Sequence, residues 1–456
     1  MREDAAWWVH PSGAVPGTIV ERPPEALVRG SVPRMRSAGI RATVVARDIA
    51  LLALRLDRLV PGTVESWTGD PALRRHARSG PAPSARELVA AAEGLRRACE
   101  FLELPPVRRA FVVGELAALD RIARTAAGDR VSVEEEIRQT YGVEVGPGDP
   151  DRYREAHRRI AELLPGPGTV GDRLAAYRRA DEVPRERRTA AIGALVEALR
   201  ARTRELVSLP AGESVAVELV DDRPWSGFTR HLGGGRSVAR FGADAPLRAG
   251  QLARLVAHET YPGHHVEHLF RVAARDPERS LSLTHSPRAL VVEGTADLAL
   301  DAVVGPGWGA WAAGVLAGVG VRTDGPLAEE LDAAMEPLQH VRLDATLLAH
   351  RAGPEAAREH VRRWLLLDHE RTERVLRFVT DPRWRSYTAT YVVGYPLVRA
   401  FWAGDAPRFR RLVAESLTPA ALVRPAATSC AGQSSPVRGT PTTDGVDHAM
   451  SGRPLC

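Results

Sequence analysis

Eight consecutive residues, His258-Glu259-Thr260-Tyr261-Pro262-Gly263-His264-His265, gather three imidazoles and a carboxylate into one short stretch. Neutral imidazole is the commonest protein ligand for zinc, and a glutamate beside a ligating histidine is the usual general base for a water activated by the ion. Leu252, Leu255 and Val256 precede the stretch at helical spacing and read as the apolar stripe of a core-facing helix. The chemistry on offer is therefore metal-assisted hydrolysis with a single Zn2+.

The spacing complicates the ligand set. In the helical HExxH motif two histidines at i and i+4 share a face and an ion, each about 2.0–2.1 Å from it. Here the i+4 position is Pro262, and His264 and His265 would lie about 9–10.5 Å along a straight helix from His258. Proline and glycine must break the helix for either to swing back. Treating Pro262-Gly263 as an insertion maps His264 onto the second ligand and leaves His265 to orient it, but the residue types alone keep both open.

The eight residues resemble the HExxPGHH signature of a bacterial family known as domain of unknown function 885, which is similar to zinc peptidases of the gluzincin type. That resemblance implies a further glutamate ligand after the histidine pair, for which the chain offers Glu293 in Val292-Glu293-Gly294. The family's Trp and Tyr after this Glu-Gly are Thr295 and Leu298 here, and its glutamine after the histidine pair is Glu267. Arg342 to His350 resembles an R-x-x-D-x-x-L-H segment with one extra residue, and Tyr391 to Gly394 a Y-x-x-G segment. By the same resemblance Tyr391 would donate to a developing oxyanion, with Tyr395 or His350 as substitutes. Arg342 could hold a substrate carboxylate as a bidentate pair or be an ion-paired helix residue. The implied fold is a helical zinc-peptidase-like one with a deep cleft, and the implied substrates are short peptides cut in carboxypeptidase or oligopeptidase fashion. The exchanged Trp and Tyr favour an alternative, an amide hydrolase acting on a non-peptide small molecule. A metal-binding relative without activity is the third reading.

The elements that must position these groups are mainly helices. Helical periodicity runs through 42–59, 86–102, 106–126, 133–141, 152–164, 170–180 and 185–207, and again through 327–350, 354–378 and 385–402. Gly-Pro clusters at 147–150 and 165–168 punctuate the first set. Val215, Val217 and Leu219 alternate, as do Val238 and Phe241 more loosely, around Gly233-Gly234-Gly235. This predicts a short β ribbon beside the metal helix whose Gly234 and Gly235 could present free backbone to a peptide. The expected organisation is an extended leader over 1–40, a helical part over 41–207, a metal-binding part over 208–420 continuous with it, and a disordered tail over 424–456.

At 456 residues, 44% hydrophobic and 26% charged, the composition is that of a globular protein with a sizeable core. All 62 basic residues are arginine, and the net charge of +5 is spread thinly, without the clustered basic and aromatic residues of a nucleic-acid binder. Cys99, Cys430 and Cys456 are odd in number and far apart, which argues against a disulfide framework and for a cytoplasmic setting; the first five residues lack the look of a signal peptide. The uncharged run 302–321 is long enough to span a bilayer, but its glycines and Pro306 favour a buried helix pair over an anchor. Oligomeric state is not legible.

Overall fold

The computed structural model describes residues 37–221, 226–244, 246–274 and 276–423, and it is mainly helical. The tail expected over 424–456, and all but the last few residues of the leader, lie outside the described residues.

The first half folds as α1 (Ser37–Leu59), a strand β1 (Val64–Trp67), α2 (Pro71–Arg78), α3 (Ala85–Glu100), α4 (Pro106–Ala126), α5 (Val133–Tyr141), α6 (Pro150–Leu163), α7 (Val170–Ala180) and α8 (Arg188–Leu206). Local chemistry explains the boundaries. Ser84 and Glu87 cap α3 reciprocally, as do Thr169 and Asp172 on α7. Ser132 caps α5, and Gly142 ends that helix at φ 71°, a conformation glycine adopts without a Cβ penalty. The apolar stripe of α1, with Ile49, Leu52 and Leu56, packs on Leu88 of α3 and Phe111 and Leu116 of α4.

A three-stranded sheet follows, with β2 (Ser214–Val220), β3 (Gly227–Gly233) and β4 (Arg236–Gly242) in the order β2-β4-β3. β4 runs parallel to β2 and antiparallel to β3. The ribbon expected between 215–219 and 238–241 is corrected here, because the strand hairpinned to β4 through the glycines is β3. Its sequence, Gly-Phe-Thr-Arg-His-Leu-Gly, lacks a clean apolar alternation. Gly233, Gly234 and Gly235 all have positive φ, 88°, 60° and 74°, which is why three glycines make this turn.

The chain continues through α9 (Ala249–Glu259), α10 (His264–Ala273), β5 (Leu281–Leu283), which pairs antiparallel with β1, α11 (Pro287–Val303) and α12 (Trp308–Ala317). α8 packs on both α9 and α12, so contacts cross the expected 207/208 boundary. The run 302–321 is broken by Gly305-Pro306-Gly307 between α11 and α12, and no helix among the described residues is long and apolar enough to cross a membrane. Helices α13 (Gly325–Met335), α14 (His340–Ala352), α15 (Pro354–Trp364), α16 (His369–Thr380), α17 (Thr388–Trp402), α18 (Ala406–Ala414) and α19 (Pro419–Val423) complete the fold. The spans expected as single helices at 327–350 and 354–378 are each two: a 3₁₀ turn at Glu336–Gln339 divides the first, and residues 365–368 divide the second.

The contact between α11 and α17 is unusually close. A Cβ added at Gly294 would collide with the Gly394 carbonyl, and one at Gly394 would come within 2.7 Å of the Leu290 carbonyl oxygen. Two facing glycines thus let backbone touch backbone and bring Glu293 to the same side as Tyr391. Gly294→Ala is expected to lower stability by roughly 1–3 kcal/mol through overpacking. Gly94→Ala, where open space surrounds the added methyl, should stabilise α3 by up to about 1 kcal/mol. Thermal melts of the two variants check the contrast.

Candidate metal centre

α9 carries His258 and Glu259 to its C-terminal end, where the helix stops. The Tyr261–Pro262 peptide is cis, and Gly263 packs so tightly on the carbonyls of Ala257 and His258 that any side chain would collide. α10 then restarts at His264. The break returns His264 to His258, with ring centroids 4.6 Å apart and planes at 84°.

Glu293, on α11, completes a group whose ligand atoms all lie within 4.8 Å of one another: His258, His264 and Glu293, each buried. Glu293 Oε2 stands 3.7 Å from His258 Nε2, and its Oε1 stands 3.6 Å from His264 Nε2. These separations exceed hydrogen bonds and approach the roughly 3.4 Å between ligands held tetrahedrally at about 2.1 Å from one ion. His258 Nε2 and Glu293 Oε2 are buried without a hydrogen-bond partner. Buried polar groups are normally satisfied, so two orphans facing one point fit a metal-ligating role.

Asp297, one turn beyond Glu293 on α11, receives a hydrogen bond of 2.9 Å from His258 Nδ1. That fixes the imidazole tautomer and leaves Nε2 facing the group. The electrostatics agree. Burial works to lower the His258 pKa, but Asp297, Glu293 and Glu259 raise it to about 9. Burial raises Glu259 to about 7 and Glu293 to about 8. Burial together with the neighbouring His258 and His268 holds His264 well below the ordinary imidazole range. The raised pKa values of both carboxyl groups and of His258 mark a buried cluster that favours bound protons, which a metal ion could replace.

Glu259 has no exposure, and its Oε2 accepts a hydrogen bond of 2.8 Å from Thr229 Oγ1 on β3 while Oε1 has no partner. Gly227 makes room for it, since a Cβ there would lie 2.5 Å from Oε1. A cavity of about 460 Å³ lies against His258, and Asp297, Arg342, Tyr391 and Tyr395 line it. Tyr391 is half-buried, and desolvation with the negative charge of Glu293, Asp297 and Glu259 pushes its pKa far up, so the phenol stays protonated and able to donate. The Tyr395 hydroxyl donates to Asp301, 2.9 Å away, and Arg342 donates to the Gln339 side chain.

Four expected site residues fall elsewhere. His265, left open as a ligand, is turned away: its Nδ1 is 2.8 Å from Ser237 Oγ and its Nε2 is 3.1 Å from Glu213 Oε2. Adjacent residues on a helix point about 100° apart, so only one of His264 and His265 can face His258. Gly234 and Gly235 form the turn at the far end of β3 from Gly227 and Thr229, and serve chain reversal rather than the site. His350 lies outside the cavity and donates through Nε2 to the Val379 carbonyl, 3.1 Å away. Within the segment that holds Arg342, Asp344 is structural, accepting from the Gly148 amide and the Tyr153 hydroxyl. Sequence reasoning missed Asp297 and Thr229 as site residues. The i+4 spacing of Asp297 from Glu293 was a usable signal; Thr229 had none, because its strand was not recognised.

No family model matches the sequence, and no curated protein matches it. Among solved structures, a candidate lipoprotein from Colwellia psychrerythraea is similar at 14% identity with a TM-score of 0.46; the match covers 75% of this chain and 66%, just under two thirds, of that one. A candidate lipoprotein of unknown function from Shewanella oneidensis is similar at 12% identity with a TM-score of 0.39, over 77% and 75% of the two chains.

Metal content separates the imidazoles. A divalent metal is expected to be lost from His258→Ala, His264→Ala and Glu293→Ala but kept by His265→Ala, which should instead lose roughly 1–3 kcal/mol of stability as Glu213 loses a buried partner. The effect of pH follows from the raised pKa values. Without metal, Glu259 and Glu293 weaken the fold as pH climbs from the ordinary 4.5 through about 7 and about 8, and the His258 contribution fades from 6.5 through about 9. A cation needs the ionised carboxylates and neutral imidazoles, so its stabilising effect should grow from about pH 6 to about pH 8.5 in melts with and without added metal.

Proposed function

We propose that this chain is a zinc-dependent hydrolase that cleaves amide bonds in short peptides, with a helical zinc-peptidase-like fold and with His258, His264 and Glu293 as the metal ligands. One observation carries the reading. Three ligand-capable side chains converge beside Glu259, a buried carboxylate with one partnerless oxygen, and one of them, His258, lines a cavity of small-ligand size. The resemblance to the domain of unknown function 885 family and its gluzincin relatives supports the same assignment.

Zinc, when bound, would supply Lewis acidity that polarises the scissile carbonyl and lowers the pKa of water. The chain's own residues do the rest. Thr229 holds one oxygen of Glu259 in place, leaving Oε1 to take the proton from the attacking water and to return it to the leaving amine. Asp297 keeps His258 oriented through Nδ1. Tyr391, protonated at working pH, donates to the oxygen of the carbonyl under attack as charge builds there. The cavity walls, with Trp308, Leu252 and Leu255 among them, exclude water from one side. The same parts would serve an amide hydrolase of non-peptide small molecules, and the limited cavity volume favours small substrates in either case.

Digestion of a mixed peptide library tests the reading. Wild type with zinc is expected to cut amide bonds. Glu259→Gln should keep the metal and lose on the order of 10³-fold in turnover, and Tyr391→Phe should lose about 10²–10³-fold with little change in melting temperature. Undiminished turnover in Glu259→Gln would sink the assignment of the base.

A further inference from the structure

One face of α9 forms a continuous side of the cavity, with Arg248, Gln251, Leu255 and His258 at helical spacing. Arg248, the residue that starts the helix, is 5% exposed, and its Nε and Nη1 have no hydrogen-bond partner. Burial lowers its pKa to about 10, yet it stays charged at neutral pH. The carboxylate that acts on it, Asp181, is occupied by Thr323 Oγ1 and the Gly250 amide and forms no ion pair with it among the described residues.

The cavity's own carboxylates are also engaged. Asp297 holds His258, Asp301 and Asp332 hold Arg254, Glu336 holds Arg399, and Glu329 accepts from the amides of Gly307 and Gly309. Arg342 lines the same space, and Arg178 behind it is close enough to both Arg248 and Arg342 for their charges to repel its own. A buried guanidinium with two unpartnered nitrogens, beside others of the same sign, suits an anion from outside. The charged guanidinium, with donors to spare on Nε and Nη1, suits a carboxylate. Gln251, one turn nearer His258, likewise has a buried Oε1 without a partner, an acceptor for a peptide N–H.

We propose that Arg248 binds the free α-carboxylate of a peptide lying along α9, and so makes the enzyme cut at a fixed distance from the substrate's C-terminus. This rests on the hydrolase reading above for its chemistry, though not for the binding itself. Arg248 precedes His258 by ten positions, about 15 Å of helix. An extended chain advances about 3.3 Å per residue, and the arginine stem covers part of the gap. The scissile bond therefore falls two or three residues from the carboxylate, and the products are dipeptides or tripeptides.

The test is calorimetric titration of the full-length, metal-free protein, which does not turn over, with N-acetyl-Ala-Ala and with its C-terminal amide. The free acid is expected to bind roughly 10- to 100-fold more tightly than the amide, as expected for hydrogen bonds to charged groups. Arg248→Met should erase that preference while melting no lower than wild type, because it removes an unpaired buried charge; Arg248→Lys should restore part of it. Equal binding of acid and amide, an unchanged preference in Arg248→Met, or binding of succinate but not of N-acetyl-Ala-Ala would overturn the proposal. Digestion by the zinc-loaded enzyme separates the two readings. Preferred binding of the acid without any peptide cleavage would leave the carboxylate site standing and remove the hydrolase. Equal cleavage of free and amidated peptides, or release of single amino acids, would do the reverse.

Discussion

The arrangement of this site depends on the packing of Gly263 against the carbonyls of Ala257 and His258. A regular helix would carry the histidines past His258 on its axis, because 1.5 Å per residue accumulates with no means of return. Ending α9 at Glu259 and restarting at His264 changes the direction of the chain within four residues. Only a residue without a Cβ fits at the point of reversal. The two imidazoles then face each other, and His265, one position on, is sent into the interior towards Glu213 and Ser237. The third group of the set comes from a separate helix, and its placement depends on another steric minimum. α11 reaches α17 at Gly294 and Gly394, so Glu293 and Tyr391 are held by backbone contact rather than by long side chains.

The sequence was read most reliably where a single period governs a segment. The helices at 106–126, 133–141 and 170–180 are found at their expected bounds, since apolar spacing agrees with Pro105-Pro106 at the start of the first and with the capping Ser132 and Thr169 at the others. Longer expected helices split where a proline at 337 and a run of leucines at 365–367 let the chain turn without losing its apolar character. β3 was invisible for the opposite reason. Thr229 bonds Glu259 of α9 and the His231 ring lies 6.0 Å from that of His268 on α10, so polar side chains stand where an apolar alternation would have marked the strand.

At the site, residue type was legible and geometry was not. His258, His264 and Glu293 stand together in the structure, yet the choice between His264 and His265 depends on a backbone break whose direction does not follow from the letters Pro-Gly. Arg248 is the clearest instance of information that exists only in three dimensions. In a chain with 62 arginines, one more before a helix signals nothing. Its meaning comes from having two buried donors with nothing to receive them.

The same physical trait links the two ends of α9. At one end, His258 Nε2, Glu293 Oε2 and Glu259 Oε1 are buried without hydrogen-bond partners; at the other, Nε and Nη1 of the buried Arg248 guanidinium are in the same position. Each would be costly in a structure selected for stability alone, because an unpaired buried charge forfeits its hydration and recovers nothing. The two clusters do not neutralise each other across the cavity, because α9 spaces them by about 15 Å and the intervening carboxylates are already paired. A molecule that is anionic at one terminus and carries a polarisable carbonyl two or three residues away satisfies one end directly and meets the proposed metal at the other. The helix that displays both ends is the ruler between them, and its core-facing side, with Ala253, Val256 and Ala257 fully buried, keeps that ruler rigid.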